Sequence, residues 1–328
     1  MDVKFSQFIN VDFSNAQLQD SRISRSDFVD SNFNNADLSQ VYFSTSKFVD
    51  SDLTNSVFEN SDLRGVIMKD LVLKNTNFSN VDFSSSQSLK LDFTKTQSIQ
   101  NSKFIGAYMR QCVLDGTDFS TLEIHGDKLT GSPTEFVFCS IKDSNFSKNK
   151  MYNIDFTSKD ILVNGKREVY PGSDLSNSVF TDLDLRTTMF SAWSKVEPKK
   201  CKASDETVCK TISYQEFFYR KFYIPVNTDP LDLVRNSISA KLEYAKFDNV
   251  NLSDSDLSVI NLSHSQIIDS NLTNASFKHS DLSFSSIINS DLSGANLEGA
   301  NLEGVVLDNV ILAGANLRCI NHSICESG

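Results

Sequence analysis

Proline and tryptophan are nearly missing from this chain of 328 residues, which has five of the first and one of the second. The prolines, Pro133, Pro171, Pro198, Pro225 and Pro230, are confined to a few short stretches. Elsewhere every backbone N–H remains available for a hydrogen-bonded ladder. Basic residues are also scarce, 31 Lys and Arg against 42 Asp and Glu, for a formal charge of −11. Without a basic stripe to displace phosphate counterions, direct binding to nucleic acid is not expected. No apolar run reaches the roughly twenty residues of a transmembrane helix, and the first residues lack the basic-then-apolar pattern of a secretory signal. A cytoplasmic location is therefore the default expectation. Only four histidines occur, His125, His264, His279 and His322, and they are scattered. With no glycine-rich phosphate loop, nucleophile elbow or HExxH element beside them, neither an enzyme nor a cofactor is expected.

What is abundant is a rhythm. From Phe8 to Phe93 a large apolar residue stands at every fifth position in seventeen of eighteen slots, Ser88 being the exception, and the rhythm returns from Leu242 to Leu317. Strands bury every second residue and helices repeat near 3.6, so a period of five fits neither and the chain must turn a corner once per repeat. Two residues before each large slot sits a small or β-branched residue, as at Val11, Ala16, Ser21, Ser26, Ser31, Ala36 and Val41, with Asp or Asn frequent between the two. Two side chains in five can then point inward. Four such segments close a square coil of about twenty residues, and coils stack at about 4.8 Å into a rod of about 60 Å. Gly65, Gly106, Gly116, Gly126, Gly131, Gly294, Gly299, Gly304 and Gly314 all lie two residues after a large slot, where a corner favours unusual backbone angles.

The segments AlaAspLeuSerGln at 36–40, SerAspLeuThrAsn at 51–55 and AlaAsnLeuGluGly at 295–299 and again at 300–304 resemble the pentapeptide repeat family. The resemblance covers about fifty slots, counted at 8–93, 104–129, 136–161, 175–190 and 242–317. It implies an all-β fold, a right-handed quadrilateral β-helix. Members of the quinolone-resistance type are dimeric rods that bind type II topoisomerases. This chain is similar to them in repeat and acidity, but it is longer, is interrupted by 51 residues and has no recognisable C-terminal dimerisation helix.

The breaks divide the chain into repeats at 1–190, an insertion at 191–241 and repeats with a short tail at 242–328. One extra residue enters between Phe93 and Phe104 and two between Leu129 and Phe136, read as bulges or corner loops. ValAsnGlyLysArg at 163–167 carries an Asn-Gly turn signal and predicts a small hairpin. In the insertion, Ser213 and Glu216 have capping-box spacing ahead of Phe217, Phe218 and Phe222, which predicts a short amphipathic helix ending before Pro225. Those aromatics and Trp193 suit either packing against the flank of the rod or an exposed partner-binding patch.

Two partner surfaces compete elsewhere. Ile268 and Ile288 each follow a large slot, twenty residues apart, and should stack on one outer face with Val306 nearby. Against this apolar strip stands charge. Eleven acidic and three basic residues give −8 for 242–328, whereas 1–190 carries −6 and 191–241 carries +3. Over four coils the C-terminal value is about 0.4 charges per Å, approaching the roughly 0.6 per Å of duplex DNA. A DNA-mimic face would use Asp254, Asp256, Asp269, Asp281, Asp291, Glu298 and Glu303, although outward Asp and Asn also simply solvate corners.

Cys319, His322 and Cys325 offer three metal ligands where a closed zinc site wants four, so no metal is expected. Cys201 with Cys209, and Cys319 with Cys325, could pair in an oxidising compartment; reduced thiols are the default. The sequence thus predicts a non-enzymatic protein-interaction scaffold with an unidentified protein partner. Its uncapped coil ends leave room for a homodimer, and an effector delivered into a host cell would suit such a rod. The alternative is an acidic DNA mimic that binds a type II topoisomerase or another DNA-binding protein.

Overall fold

The computed structural model describes residues 2–149, 151–157, 159–163, 166–170, 172–191 and 239–325. Strands of about three residues and isolated bridges form a four-sided parallel β-solenoid of about 12 turns. Successive coils pair twenty residues apart, as in Phe8↔Phe28↔Phe48 and Ile267↔Ile287↔Leu307. The first side begins with Gln7–Ile9, the second with the bridge Asp12↔Asn32 and the third with Gln17↔Asp37, while the fourth begins ahead of them with Asp2–Lys4, paired to Arg22–Ser24. An eight-stranded sheet runs up the first side from Gln7–Ile9 to Ile154–Asp155, and a five-stranded one up the third from Val179–Thr181 to Val306–Asp308.

Each repeat position has a physical task. The large slots form one continuous core in which rings stack coil on coil, Phe13 on Phe33 at 4.7 Å and Phe146 on Phe180 at 4.9 Å. The small partner two residues earlier is buried at the corner, and in several coils a Ser there bridges to the next: the Ser31 N–H donates to Ser51 Oγ at 3.1 Å, and the Ser270 N–H to Ser290 Oγ at 3.1 Å. The Asp or Asn between them accepts the N–H two residues on, as Asp52 does from Thr54 at 2.8 Å. This bond holds the corner, whose last residue lies in the left-handed region (φ 56° at Asn55). Asn and Asp dominate there because their short side chains tolerate that conformation.

The glycine expectation holds at eight of its nine positions, which have φ from 60° to 73°. Gly126 differs: its φ is not left-handed, and an added Cβ would come within 2.6 Å of the Asn153 side chain. Close approach, not backbone angle, requires glycine there. Two of the predicted slots are also corrected. Leu129 is 97% exposed in the loop that absorbs the extra residues before Phe136, and its N–H donates to Asp127 Oδ1 at 2.8 Å. Ile161 pairs antiparallel with Glu168 in the hairpin Lys159–Val163 and Lys166–Tyr170, so it belongs to no coil. The hairpin itself is where the Asn-Gly signal put it. The extra residue after Phe93 is taken up by a 3-10 turn, Phe93–Lys95, capped by Asp92.

The break at 192–238 does not divide the solenoid. Val179–Thr181 pairs directly with Lys246–Asp248, so the two repeat blocks form one ladder. The hairpin and this break leave from the same corner, between the first and second sides, in successive coils. An ordinary corner there closes with the Ser280 N–H on the Phe277 carbonyl at 3.0 Å. The same bond closes both excursions: Ser173 N–H to Phe156 O at 2.8 Å, and Ala240 N–H to Phe190 O at 2.8 Å. A clamped corner accepts a long excursion because the ladder on either side keeps every bond.

Both ends of the core are thinner. Val3, Phe8, Phe13 and Leu18 at one end are only partly buried, as are Leu307, Val310, Leu312 and Leu317 at the other. The last coil is joined by a turn in which Cys319 and Cys325 form a disulfide, while Ile324 and Cys325 pack against the core. Reduced thiols are therefore not what the structure shows at this pair.

Candidate partner-binding face

In the C-terminal coils the corner between the second and third sides breaks the Asn and Asp preference. Its left-handed residues are Tyr244 (φ 59°), His264 (φ 58°) and Phe284 (φ 57°), followed by Gly304 (φ 64°). Their rings stack in register, Tyr244 on His264 at 4.8 Å and His264 on Phe284 at 5.3 Å, with interplanar angles of 6° and 15°. Phe284 then lies over Gly304, where an added Cβ would come within 2.7 Å of its ring. Tyr244 and Phe284 remain 56% and 54% exposed. A left-handed conformation costs a bulky residue roughly 1–2 kcal/mol, and an exposed ring recovers little of that by burial. Strain of this kind concentrates where a surface is used.

The ridge borders the third side. Across that side run two outward columns, Lys246, Gln266, Ser286 and Val306, then Asp248, Ile268, Ile288 and Asp308. Ile268 and Ile288 are register partners, as their spacing predicts, and each is half-buried. Val306 is on the same side but in the neighbouring column, aligned with Ser286, and is 55% exposed. One face thus combines three stacked rings with an aliphatic strip. The sequence reading found the strip and missed the ridge, whose signal was a twenty-residue recurrence of ring-bearing residues at corner positions.

The seven mimic carboxylates are not brought together. Asp256 lies on the first side, Asp281 on the second and Asp291 on the fourth, aligned with Ser276, Asn301 and Asn271 respectively. Asp254 and Asp269 occupy two different corners, while Glu298 and Glu303 follow slots on the first and second sides. Several hold the fold. Asp256, Asp281 and Asp291 accept the N–H of Ser258, Ser283 and Ser293 at 3.0, 3.0 and 2.8 Å, and Asp254 accepts from Asn274 at 3.1 Å. Ser293, through both hydroxyl and N–H, keeps the Asp291 carboxyl below the ordinary carboxylate range. Glu298 pairs with Lys278 at 3.6 Å.

Trp193, Phe217, Phe218 and Phe222, with the predicted helix and the Cys201–Cys209 pair, lie outside the described residues. His322 Nδ1 accepts the Ile324 N–H at 3.3 Å within the disulfide-closed turn. Among the described residues no group of three His, Cys, Asp or Glu is placed to hold a metal. No helix among them is long and apolar enough to cross a membrane.

Comparison with known proteins agrees with this architecture. Residues 1–78 match the model of a pentapeptide repeat region, and 255–294 and 285–321 match pentapeptide repeats of eight copies. No curated protein matches. Among solved structures, the chain is similar to HetL, a pentapeptide repeat protein involved in heterocyst differentiation regulation from the cyanobacterium Nostoc sp. strain PCC 7120. Identity is 17%, over 95% of this chain and 90% of that one, with a TM-score of 0.22. Rfr23 from the cyanobacterium Cyanothece 51142 is 16% identical over 55% and 85%, with a TM-score of 0.23. QnrB1, a plasmid-mediated fluoroquinolone resistance protein, is 14% identical over 94% and 93%, with a TM-score of 0.21. Scores this low decide nothing about function. Pentapeptide repeats are thus matched over 1–78 and 255–321, and the four-sided ladder carries the same architecture through the described residues between them.

Proposed function

We propose that the protein is a non-enzymatic binding scaffold that presents the third side of its C-terminal coils to a protein partner. The supporting observation is the exposed ridge of Tyr244, His264 and Phe284, set at three strained corners beside Ile268 and Ile288. Rigid rings and branched aliphatics carry contact energy at little cost in side-chain entropy. The β-solenoid fixes their spacing, so the face is already organised before a partner arrives.

The test converts the ridge into the Asn column that the same corner carries elsewhere, by Tyr244→Asn, His264→Asn and Phe284→Asn together. The full chain and this variant are used to capture proteins from a lysate, with purified DNA gyrase included as a direct probe. A partner lost by the variant supports the reading. Unchanged capture, or gyrase retained by both forms and released by moderate salt, would overturn it in favour of general acidity.

A further inference from the structure

The carboxylates of the C-terminal coils fall into two groups. Asp256, Asp281 and Asp291 hold corner turns, Asp254 accepts from Asn274, Asp248 pairs with Lys246 at 2.8 Å, Glu298 pairs with Lys278, and Glu243 accepts from Asn261. Asp269, Glu303 and Asp308 have no side-chain hydrogen bond or ion pair among the described residues. All three are exposed, and all three frame the ridge face. Glu303 stands beside Gly304 at the ridge edge, where its carbonyl accepts the Phe284 N–H at 2.7 Å. Asp269 follows Ile268 at the opposite edge, and Asp308 closes the Ile268–Ile288 column as the register partner of Ile288.

The N-terminal coils pair several of their acids, and others left without a side-chain bond among the described residues, such as Asp20, Asp30 and Asp50, sit at corners with no ring column beside them. Asp27 is paired with Lys47, Asp62 with Arg64, Asp70 with Lys69 and Lys90, and Glu123 with Lys103. Carboxylates left without a bond around an apolar centre are a rim in want of counter-charge. Unlike Asp256, Asp281 and Asp291, they accept no N–H of a corner turn.

We infer that the partner of this face is a basic amphipathic protein segment, whose apolar side lies on the ridge and the Ile268–Ile288 strip while its Lys or Arg side chains meet Asp269, Glu303 and Asp308. The inference rests on reading the third side as the contact surface, and it adds the partner's chemistry. Rim charges govern encounter rate and salt dependence, and the apolar centre governs residence.

Three labelled peptides of equal length test it against the full chain by fluorescence anisotropy: an amphipathic Leu/Lys helix former, the same pattern with Glu for Lys, and a scrambled Leu/Lys peptide without an apolar face. The Leu/Lys peptide is expected to bind, and to weaken about tenfold or more between 50 and 300 mM salt. Combined Asp269→Asn, Glu303→Gln and Asp308→Asn should remove most of that salt dependence. The same change of charge at Asp20→Asn, Asp30→Asn and Asp50→Asn should leave it intact. Equal binding of the Glu peptide would overturn the partner's charge while leaving the ridge reading standing. Equal binding of the scrambled peptide, or equal effects of the two charge sets, would reduce the interaction to non-specific attraction and overturn the proposal. If the Leu/Lys peptide binds in a salt-sensitive way that the three-Asn ridge variant does not weaken, the ridge reading itself fails.

Discussion

The same corner of one solenoid is built in two ways. Between the second and third sides the N-terminal coils carry Asn15, Asn35, Asn55 and Asn75, whose side-chain amides form a ladder, Asn55 Nδ2 to Asn35 Oδ1 at 3.1 Å and Asn75 Nδ2 to Asn55 Oδ1 at 3.0 Å. The C-terminal coils put Tyr244, His264 and Phe284 in the equivalent positions. Backbone geometry is the same in both, so the fold does not require the rings. The Asn column satisfies its own amides and accepts the left-handed angle, whereas the ring column gives up that ease and leaves apolar surface in water. The cores differ in the opposite sense. Stacked Phe residues fill the N-terminal coils, from Phe8 on Phe28 at 5.0 Å to Phe83 on Phe104 at 4.8 Å, while Leu and Ile fill most C-terminal slots. The N-terminal half also exposes Phe5, Tyr42 and Phe138, but these do not stack on one another, whereas the C-terminal half gathers three rings into one column.

The largest way to break the comparison is through the core. Phe48→Ala, which removes a ring stacked on Phe28 at 4.8 Å, should cost about 3–5 kcal/mol, and Leu282→Ala about 2–5 kcal/mol. Denaturant unfolding of both variants measures this. In a solenoid whose stability is summed over neighbouring coils, protection from hydrogen exchange should be lost around the altered coil before it is lost elsewhere.

Next in size is Gly304→Ala, expected to cost about 1–2 kcal/mol for its left-handed backbone, with more from the Phe284 ring that fills its Cβ position. In a Phe284→Asn background the ring contribution should disappear and the backbone contribution remain, which a double-mutant cycle on thermal unfolding will resolve. Gly116→Ala, where nothing lies within 4 Å of the added Cβ, is the matched control and should show the backbone cost alone.

Acid should act more on the N-terminal half. Burial pushes the Asp37 and Glu123 carboxyls up, but hydrogen bonds outweigh it, from the Ser39 hydroxyl and N–H and Gln19 for Asp37 and from His125 and Lys103 for Glu123, so both titrate below their usual range. Asp184 is lowered first by its Arg186 hydrogen bond. A group with a depressed folded value adds stability that is complete above its unfolded value. Its contribution should therefore be present above about pH 5 and fade as the pH falls below about 4. Hydrogen exchange across that range should show the N-terminal coils loosening before the C-terminal ones, where Asp291 is the lowered carboxyl among those described.

The smallest effect concerns the one polar large slot. Ser88 is buried between the register partners Met68 and Met109, and its hydroxyl has no hydrogen-bond partner. Ser88→Ala should stabilise the chain by about 1 kcal/mol, measured as a rise in Tm.

Much of this architecture was legible because a period of five repeats its instruction some fifty times, so local errors do not accumulate. The misreadings fall where the rhythm was carried through a break. Leu129 and Ile161 keep the spacing but occupy a loop and a hairpin, because spacing alone does not say whether the following coil has already begun. Gly126 has the position of a corner glycine and the role of a contact glycine. For the candidate site, Ile268 and Ile288 were found by their twenty-residue separation. Tyr244, His264 and Phe284 share that separation but stand at corner positions that elsewhere hold Asn and Asp, where a search for apolar residues next to large slots does not reach.

The sequence by itself determined the repeat, the inward positions and the turning points, since each follows from side-chain size and backbone preference within five residues. Only the tertiary structure decided which outward residues are neighbours. That depends on the number of residues per coil and on how each break is absorbed: the clamp from Ala240 to Phe190 sets Val179 beside Lys246 across 67 residues. It also scattered seven carboxylates over three sides and two corners and gathered three rings into one ridge, because stacking at a fixed register joins residues twenty apart and separates those five apart.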